Sequence, residues 1–187
     1  MTSPVQLIPS RRYGDARGWF TETYNCDTFV TLGIGVTFVQ DNHSLSVPAF
    51  TLRGLHYQTP PRAQDKLVRC IRGRIFDVAV DVRAGSPTYG QWVGAELSAE
   101  NGHQLFVPVG FAHAFLTLEP NCEVVYKCSD VYAPDFDGGI AWDSAGIDWP
   151  LPPGTTPELS LKDKQQPTLA DFDSPFPYDD RPLQPLV

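Results

Sequence analysis

The sequence lacks the features that would assign it to a membrane or to nucleic acid. No apolar run in the 187 residues is long enough to cross a bilayer. Residues 1–6 contain no basic segment followed by an apolar one, so we expect no secretion signal and a cytoplasmic location. Positive charge is scarce, since 14 Lys and Arg face 22 Asp and Glu. Nucleic acid is therefore an unexpected partner, because phosphate contacts need a basic face.

Cysteine is also sparse, and its spacing does not suit a metal. None of the four cysteines forms a CxxC pair, and Cys122 and Cys128 have no histidine pair nearby to complete a zinc site. We therefore expect the cysteines to be small buried side chains in a reducing compartment.

Helical periodicity is slight, and one short helix is predicted at 27–32. Short runs of Val, Ile, Phe and Leu, separated by Gly, Pro, Asn and Asp, predict strands throughout. The runs at 66–71 and 74–82 are expected to form a hairpin, and those at 111–118 and 122–129 a second pair. Regularly spaced strands favour an all-β jelly roll of the sandwich or barrel type.

The chain length suits one domain spanning residues 1–187. We expect its core to cover about 5–169, and the proline-rich residues 170–187 to form an extended C-terminal tail.

One predicted strand carries an unusual set of polar residues, RGLHYQ at 53–58. Regular alternation would place Arg53 and His56 on opposite faces of the strand. If both serve one site, the strand must bulge, and Gly54 is the natural place. On position alone, His56 is as readily a satisfied polar residue as a functional one.

Three further residues complete a possible acid–base set. Lys66 alternates with apolar residues on a strand, where it faces either solvent or an interior with an anionic partner. Tyr126 alone would be a core tyrosine, and Asp163 alone a capping residue. Together with His56, they are the groups needed to remove a proton from carbon beside a ketone and to return one elsewhere, without any cofactor.

His113 follows a glycine and proline pattern, Gly102 and then PVGFAH at 108–113, which resembles the second metal-binding motif of the cupin superfamily. The first cupin motif would supply a closely spaced pair of histidines, whereas here His56 is followed by Tyr57 and Gln58. We therefore expect a metal-free jelly roll in which His113 is structural or lines the pocket. A metal-dependent cupin is the alternative.

Nine motifs in one order resemble the dTDP-4-dehydrorhamnose 3,5-epimerase family. The resemblance covers the chain from about Val5 to about Leu169, and none of the motifs is specific by itself. The motifs are DARGWFTE (15–22), FVQDNHS (38–44), LRGLHYQ (52–58), QDKLVR (64–69), FDVAVD (76–81), SPTYG (86–90), PVGFAH (108–113), YK (126–127) and LSLKD (159–163).

The resemblance implies a cupin-type jelly roll that forms a homodimer and uses neither a metal nor another cofactor. Its substrate would be a dTDP-linked 4-keto-6-deoxyhexose. His56 would be the general base, oriented by Asp163, with Tyr126 as the acid on the opposite face of the sugar and Lys66 stabilising the enolate. The implied substrate-binding residues are Arg17, Phe20, Glu22, Gln40, Asn42, Arg53, His113, Tyr132 and Lys162. Arg17 and Phe20 would serve the neighbouring protomer's pocket if the N-terminal segment crosses the dimer.

The expected reaction inverts C3 and C5 of dTDP-4-keto-6-deoxy-D-glucose to give dTDP-4-keto-L-rhamnose. The sequence departs from the family pattern at Ala114 and Val131, beside the expected pocket. An epimerase acting only at C3, as in antibiotic deoxysugar biosynthesis, is therefore an alternative. A sugar-nucleotide-binding module without activity is less favoured, because binding alone would not require His56, Tyr126 and Asp163 together.

Overall fold

Two five-stranded antiparallel sheets face each other in a computed structural model that describes residues 3–186. The first sheet has the order β1-β9-β6-β11-β4, the second has the order β12-β5-β10-β7-β8, and β2 and β3 form a separate hairpin. The predicted all-β jelly roll is confirmed. The strands are β1 Gln6–Ile8, β2 Tyr13–Asp15, β3 Gly18–Phe20, β4 Gln40–Ser46, β5 Leu52–Gln58, β6 Lys66–Arg72, β7 Arg74–Asp81, β8 Trp92–Ser98, β9 Gln104–Val107, β10 Phe111–Thr117, β11 Cys122–Cys128 and β12 Asp137–Gly139.

The predicted short helix is present as α1, Cys26–Thr31. The side chain of Asn25 caps it by accepting hydrogen bonds from the backbone N–H groups of Asp27 and Thr28. Three 3₁₀ turns follow later in the chain, at Pro134–Phe136, Asp163–Gln165 and Leu169–Asp171. No helix within residues 3–186 combines the length and apolar character that a membrane crossing needs.

Both predicted hairpins are wrong, because each connection carries the chain from one sheet to the other. β6 pairs with β9 and β11, whereas β7 pairs with β8 and β10. Likewise β10 lies in the second sheet and β11 in the first. Gly73 turns the first corner with φ +78°, and Asn121 turns the second with φ 59°. Alternation identifies the faces of a strand, but a tight turn does not reveal whether the next strand pairs or crosses over.

β7 is buried on both of its faces. Its polar side, with Asp77 and Asp81, points between the sheets, while Val78 and Val80 form part of the outer face of the second sheet. The segments after β12, including Phe172 and Phe176, cover that outer face. The main core between the sheets is built by apolar residues of both sheets: Val5, Val68, Cys70, Ile75, Ala79, Leu97, Leu105, Val107, Phe111, Phe115, Cys122, Val124 and Leu183.

A buried arginine attaches the C-terminal tail. Arg83 is 2% exposed and donates to both carboxylate oxygens of Asp81, at 2.9 and 2.7 Å, and to Asp179 of the tail at 2.5 Å. The backbone N–H of Ala84 donates to the carbonyl of Phe176 at 2.7 Å. These contacts bind the tail to the segment that directly follows β7, and the division into a core at 5–169 and an extended tail stays a prediction.

β5 contains a bulge, which was expected on the condition that Arg53 and His56 serve one site. His56 pairs with His113 and Arg53 with Phe115, so three steps along β5 match two along β10. The additional residue places Arg53 and His56 on the same side of the strand, and both line one cavity. Gly54 has φ +124°, and a Cβ atom there would lie 2.5 Å from the carbonyl oxygen of His113. Only glycine fits this position.

We predict that Gly54→Ala destabilises the protein by about 3 kcal/mol or more, because the backbone strain and the steric overlap each cost on the order of 1–3 kcal/mol. Gly33→Ala is the matched control, since Gly33 also has a positive φ, +82°, but open space around it. It should cost only about 1–2 kcal/mol. Urea unfolding of both variants checks the prediction, and equal losses would contradict it.

Candidate active site

A cavity of about 460 Å³ opens between the two sheets, beside a second of about 350 Å³. Four residues line both cavities, namely His56, Lys66, Tyr126 and Lys162, and Asp163 lines the larger one. The four residues predicted to be catalytic are therefore brought together from four separate segments of the chain.

His56 and Asp163 form a close pair, with His56 Nε2 and Asp163 Oδ1 2.5 Å apart. Burial acts to raise the pKa of Asp163, but hydrogen bonds from His56, Ser160 and Gly54 outweigh it and hold the pKa below its usual value. The ionised carboxylate can only accept, so Nε2 carries the proton and Nδ1 is free to act as a base. This carboxylate both fixes the tautomer and stabilises an imidazolium.

Lys66 is buried and faces the cavity. Of the two environments that its strand position allowed, solvent or the interior, the structure shows the interior. Its Nζ donates to the backbone carbonyl of His56 at 3.4 Å. Burial lowers the pKa of Lys66, against the opposing influence of Cys128, Asp137 and Asp77. An ammonium group in this setting is well placed to stabilise negative charge that develops on a bound molecule.

Tyr126 approaches the cavity from the opposite sheet. His56 lies on β5 of the second sheet, and Tyr126 on β11 of the first. Burial is the main cause of a raised pKa for Tyr126, and the charge of Arg53 opposes it. Tyr126 is therefore protonated at neutral pH and can donate. A molecule bound between the sheets would have the imidazole of His56 on one side and the hydroxyl of Tyr126 on the other.

His113 belongs to a second histidine–carboxylate pair. Its Nε2 lies 2.8 Å from Asp77 Oδ1, and both residues are buried. Burial raises the pKa of Asp77, while His113 and Lys66 act in the other direction. Within residues 3–186, no three His, Cys, Asp or Glu side chains are grouped so as to hold a metal ion. Sequence reasoning did not include Asp77 in the site, although its place on the polar side of a strand was a signal.

Arg53 lines the larger cavity, and Gln40 and Asn42 line the smaller one; their role in substrate binding stays a prediction. Arg53 is held by Ser46 Oγ at 3.1 Å and by the carbonyl of Leu45 at 3.1 Å. Gln40 donates from Nε2 to Asn42 Oδ1 at 3.0 Å. These bonds orient an arginine and two amides toward the space between the sheets.

Tyr132 and Lys162 meet at a residue that the sequence did not single out. Asp137 accepts from the Tyr132 hydroxyl at 3.0 Å and forms an ion pair with Lys162. The Tyr132 hydroxyl is itself held at a raised pKa, chiefly by its hydrogen bond to Asp137. Asp137 lies in β12, a three-residue strand too short to show alternation.

The remaining three predicted residues lie outside both cavities. Arg17 is 90% exposed and pairs with Asp15 at 2.6 Å, and Phe20 is 69% exposed. Glu22 accepts from Asn25 at 3.2 Å and lines a separate surface cavity near α1. Their assignment to substrate binding therefore stays a prediction that one chain alone does not satisfy.

Comparison with known proteins shows which family the chain resembles over most of its length. The model of the family described as dTDP-4-dehydrorhamnose 3,5-epimerase matches residues 3–171. A dTDP-4-dehydrorhamnose 3,5-epimerase of Sinorhizobium fredii is 52% identical over 176 residues, covering 93% of this chain and 89% of the relative.

Two solved structures are also similar. A dTDP-6-deoxy-D-glucose-3,5-epimerase from Legionella pneumophila, in complex with dTDP-4-keto-L-rhamnose, has a TM-score of 0.85 and 45% identity, covering 90% of this chain and 89% of that one. A 3′-monoepimerase from Streptomyces bikiniensis, in complex with dTDP-quinovose, has a TM-score of 0.83 and 33% identity, covering 91% and 86%.

We predict that Asp163→Asn lowers the free energy of unfolding by about 1–3 kcal/mol at pH 7, through loss of a charge-assisted hydrogen bond. The pKa of Asp163 is lower in the folded protein than its ordinary value of 3.8. The unfolded state thus binds the proton first, and the stabilisation is present above that value. It is lost as the pH falls through the folded-state pKa.

Urea unfolding of the wild type and the variant between pH 3 and pH 7 measures this difference. Asp148→Asn, at an exposed position, is the control for removing a carboxylate. A difference between wild type and Asp163→Asn that does not shrink at low pH would contradict the prediction.

Proposed function

The chain belongs to the dTDP-4-dehydrorhamnose 3,5-epimerase family, and from this membership we propose that it inverts C3 and C5 of dTDP-4-keto-6-deoxy-D-glucose to give dTDP-4-keto-L-rhamnose. It is an isomerase. The observation that carries the proposal is the placement of the His56–Asp163 pair on one wall of a cavity and Tyr126 on the opposite wall.

The chemistry follows from the position of the ketone. Hydrogens on C3 and C5 both flank C4, so removal of either leaves an enolate. His56 Nδ1 takes the proton, and the Lys66 ammonium stabilises the charge that develops on the C4 oxygen. The Tyr126 hydroxyl then delivers a proton to the other face of the same carbon. Inversion needs these two groups on opposite sides of the ring, and exchange with solvent restores both afterwards.

The substrate's nucleotide part is assigned to the smaller cavity. Gln40, Asn42 and Tyr132 line that cavity and offer amide groups and an aromatic ring. Arg53 and Lys162 are cations suited to the diphosphate. His113 lines the larger cavity, where the hexose would stand.

Inversion at both carbons is favoured over inversion at C3 alone. The Sinorhizobium fredii 3,5-epimerase is 52% identical to this chain, whereas the Streptomyces bikiniensis 3′-monoepimerase is 33% identical. The base, acid and lysine serve either carbon equally, so the distinction depends on how the sugar turns within the cavity.

Deuterium exchange tests the reaction directly. The purified protein is incubated with dTDP-4-keto-6-deoxy-D-glucose in deuterated water, and label is located by mass spectrometry and NMR. We expect one deuteron at C3 and one at C5. Label confined to C3 would establish the mono-epimerase, and no label at either carbon would overturn the proposal.

Two variants separate the roles of base and acid. His56→Ala should lower exchange at both carbons by about 10²–10⁴-fold, because general base catalysis is lost. Tyr126→Phe should continue to exchange label from the His56 side while forming less inverted product, so the ratio of exchange to epimerisation should rise. His103→Ala, at the turn before β9, is the control histidine and should leave both rates unchanged. Equal loss of exchange and inversion in Tyr126→Phe would remove it as the acid.

A homodimer is part of the proposal and is supported by the β2–β3 hairpin. All six strand residues of this hairpin are exposed, including Trp19 at 58% and Phe20 at 69%. Large aromatic side chains that are exposed next to each other are typical of association surfaces. We assign Arg17 and Phe20 to the partner's pocket, which explains why they lie outside the cavity of their own chain.

Mixing two inactive variants tests this sharing. His56→Ala keeps the hairpin, and Arg17→Ala/Phe20→Ala keeps the acid–base set, so a mixed dimer contains one complete site. Activity should recover to about one quarter of wild type at a 1:1 ratio with random exchange. Mixing His56→Ala with Asp163→Ala is the matched control, because both changes affect the same pocket and no recovery is expected. Equal behaviour of the two mixtures would refute sharing.

We also propose that the chain acts as one domain in the cytoplasm. Each of the four cysteines is a free thiol, which suits a reducing compartment. The strands of the jelly roll lie within residues 5–169, and residues 170–186 add the bound tail.

A further inference from the structure

The inward face of β4 borders both cavities, with Ser44 lining the larger one and Gln40 and Asn42 lining the smaller one. Alternation along this strand points every second side chain between the sheets, and the intervening ones to the outside. The inward-facing row consists of four polar side chains: Gln40, Asn42, Ser44 and Ser46.

Three members of this row are hydrogen-bonded within the protein. Gln40 Oε1 accepts from the backbone N–H of Tyr132 at 2.8 Å. Asn42 Nδ2 donates to Cys128 Sγ at 3.5 Å. Ser46 Oγ accepts from Arg53 Nε at 3.1 Å.

Ser44 is the exception. Its Oγ is buried, and none of the protein groups in residues 3–186 is its hydrogen-bond partner. Ser44 itself lines the larger cavity, so its hydroxyl belongs to the wall of that cavity. A buried hydroxyl without a partner is unfavourable, whereas an alanine of nearly the same shape would avoid the cost.

The register places Ser44 close to the reacting centre. Tyr126 pairs with Asn42, and Val124 pairs with Ser44, so Ser44 is the next inward residue along β4 from the level of the acid. Beyond it, Ser46 holds Arg53. Ser44 therefore lies one inward position from the level of the proposed acid, in the wall of the larger cavity, where the hexose would stand.

We propose that Ser44 is a specificity-determining residue that hydrogen-bonds a ring hydroxyl of the bound 4-keto-hexose, at C2 or C3; this inference rests on the proposed function. A serine hydroxyl can donate to and accept from such a group. A site built to pair a substrate hydroxyl discriminates against an analogue that lacks it, because the buried protein group is then left unpaired.

The first test uses the protein without ligand. Removing the hydroxyl of a structural serine should lower the urea unfolding midpoint, whereas removing that of a ligand-binding serine should not. Ser44→Ala should leave the urea unfolding midpoint unchanged or higher, since it removes a hydroxyl with no protein partner. Ser46→Ala is the matched comparison on the same face, and it should lower the midpoint because Arg53 loses its acceptor. A lowered midpoint for Ser44→Ala would show that the hydroxyl already serves the fold and would overturn the proposal.

The second test measures deuterium exchange at C5, because this carbon is the same in the three substrates to be compared. The substrates are dTDP-4-keto-6-deoxy-D-glucose, its 2-deoxy analogue and its 3-deoxy analogue. With the parent substrate, Ser44→Ala should lower kcat/KM for exchange by about 10–100-fold. With the analogue that lacks the contacted hydroxyl, kcat/KM of the wild type should fall to the value that Ser44→Ala has with the parent substrate. The kcat/KM of Ser44→Ala should not fall further with this analogue.

The outcomes separate the two proposals. Exchange of the parent by the wild type confirms the function independently of Ser44, and its absence refutes the function. A Ser44→Ala effect that is absent, or equal for all three substrates, overturns the hydroxyl contact while leaving the function intact. Ser98→Ala removes a buried serine at the β8 turn, where Oγ accepts from the backbone N–H of Asn101. For this control variant, kcat/KM for exchange with each of the three substrates should equal that of the wild type.

Discussion

The close approach of Gly54 to the backbone of His113 is the constraint on which the site depends. It creates the bulge in β5, and the bulge turns Arg53 and His56 to the same side of the strand. Without the bulge, His56, the proposed base, and Arg53, which is proposed to bind the diphosphate, would face opposite sides of the sheet. The same approach brings the backbone N–H of Gly54 to Asp163, so the carboxylate that orients His56 is partly held by the bulge itself. The geometry of β5 and the histidine–carboxylate pair therefore depend on each other.

The protein carries a net charge of −8, yet three basic side chains line its larger cavity. Arg53, Lys66 and Lys162 line the same space, where burial lowers the pKa of Lys66. Local arrangement outweighs the overall charge, since nearby groups act through a poorly screened interior while distant surface charges act through water. Two carboxylates, Glu158 and Asp163, line the same cavity, so the three cations leave it with a small excess of basic groups inside an acidic protein.

Much of this fold could be predicted from the sequence, but strand pairing could not. Alternation located the strands and correctly gave the bulge at Gly54, because these depend on neighbouring residues. The hairpin expected between β6 and β7 was wrong, because the turn at Gly73 carries no signal for whether the chain pairs or crosses. The partner of His56 lies 107 residues away, so only the family resemblance linked it to Asp163. Ser44 was missed for a different reason, since an unsatisfied hydroxyl is visible only when every neighbour is in place.

The C-terminal tail shows how residues outside the site still serve it. The family match ends at residue 171, and none of the described residues beyond Asp163 lines either cavity. Tyr57 follows His56 on β5 and points to the opposite face, where it packs against Phe172 and Phe176 at centroid distances of 5.0 and 5.7 Å. The tail that carries these rings is attached by the buried Arg83. Since an interior packs at the density of a crystal, a strand supported from behind cannot shift without disturbing both faces. The tail therefore acts on the fold around His56 and not on the ligand.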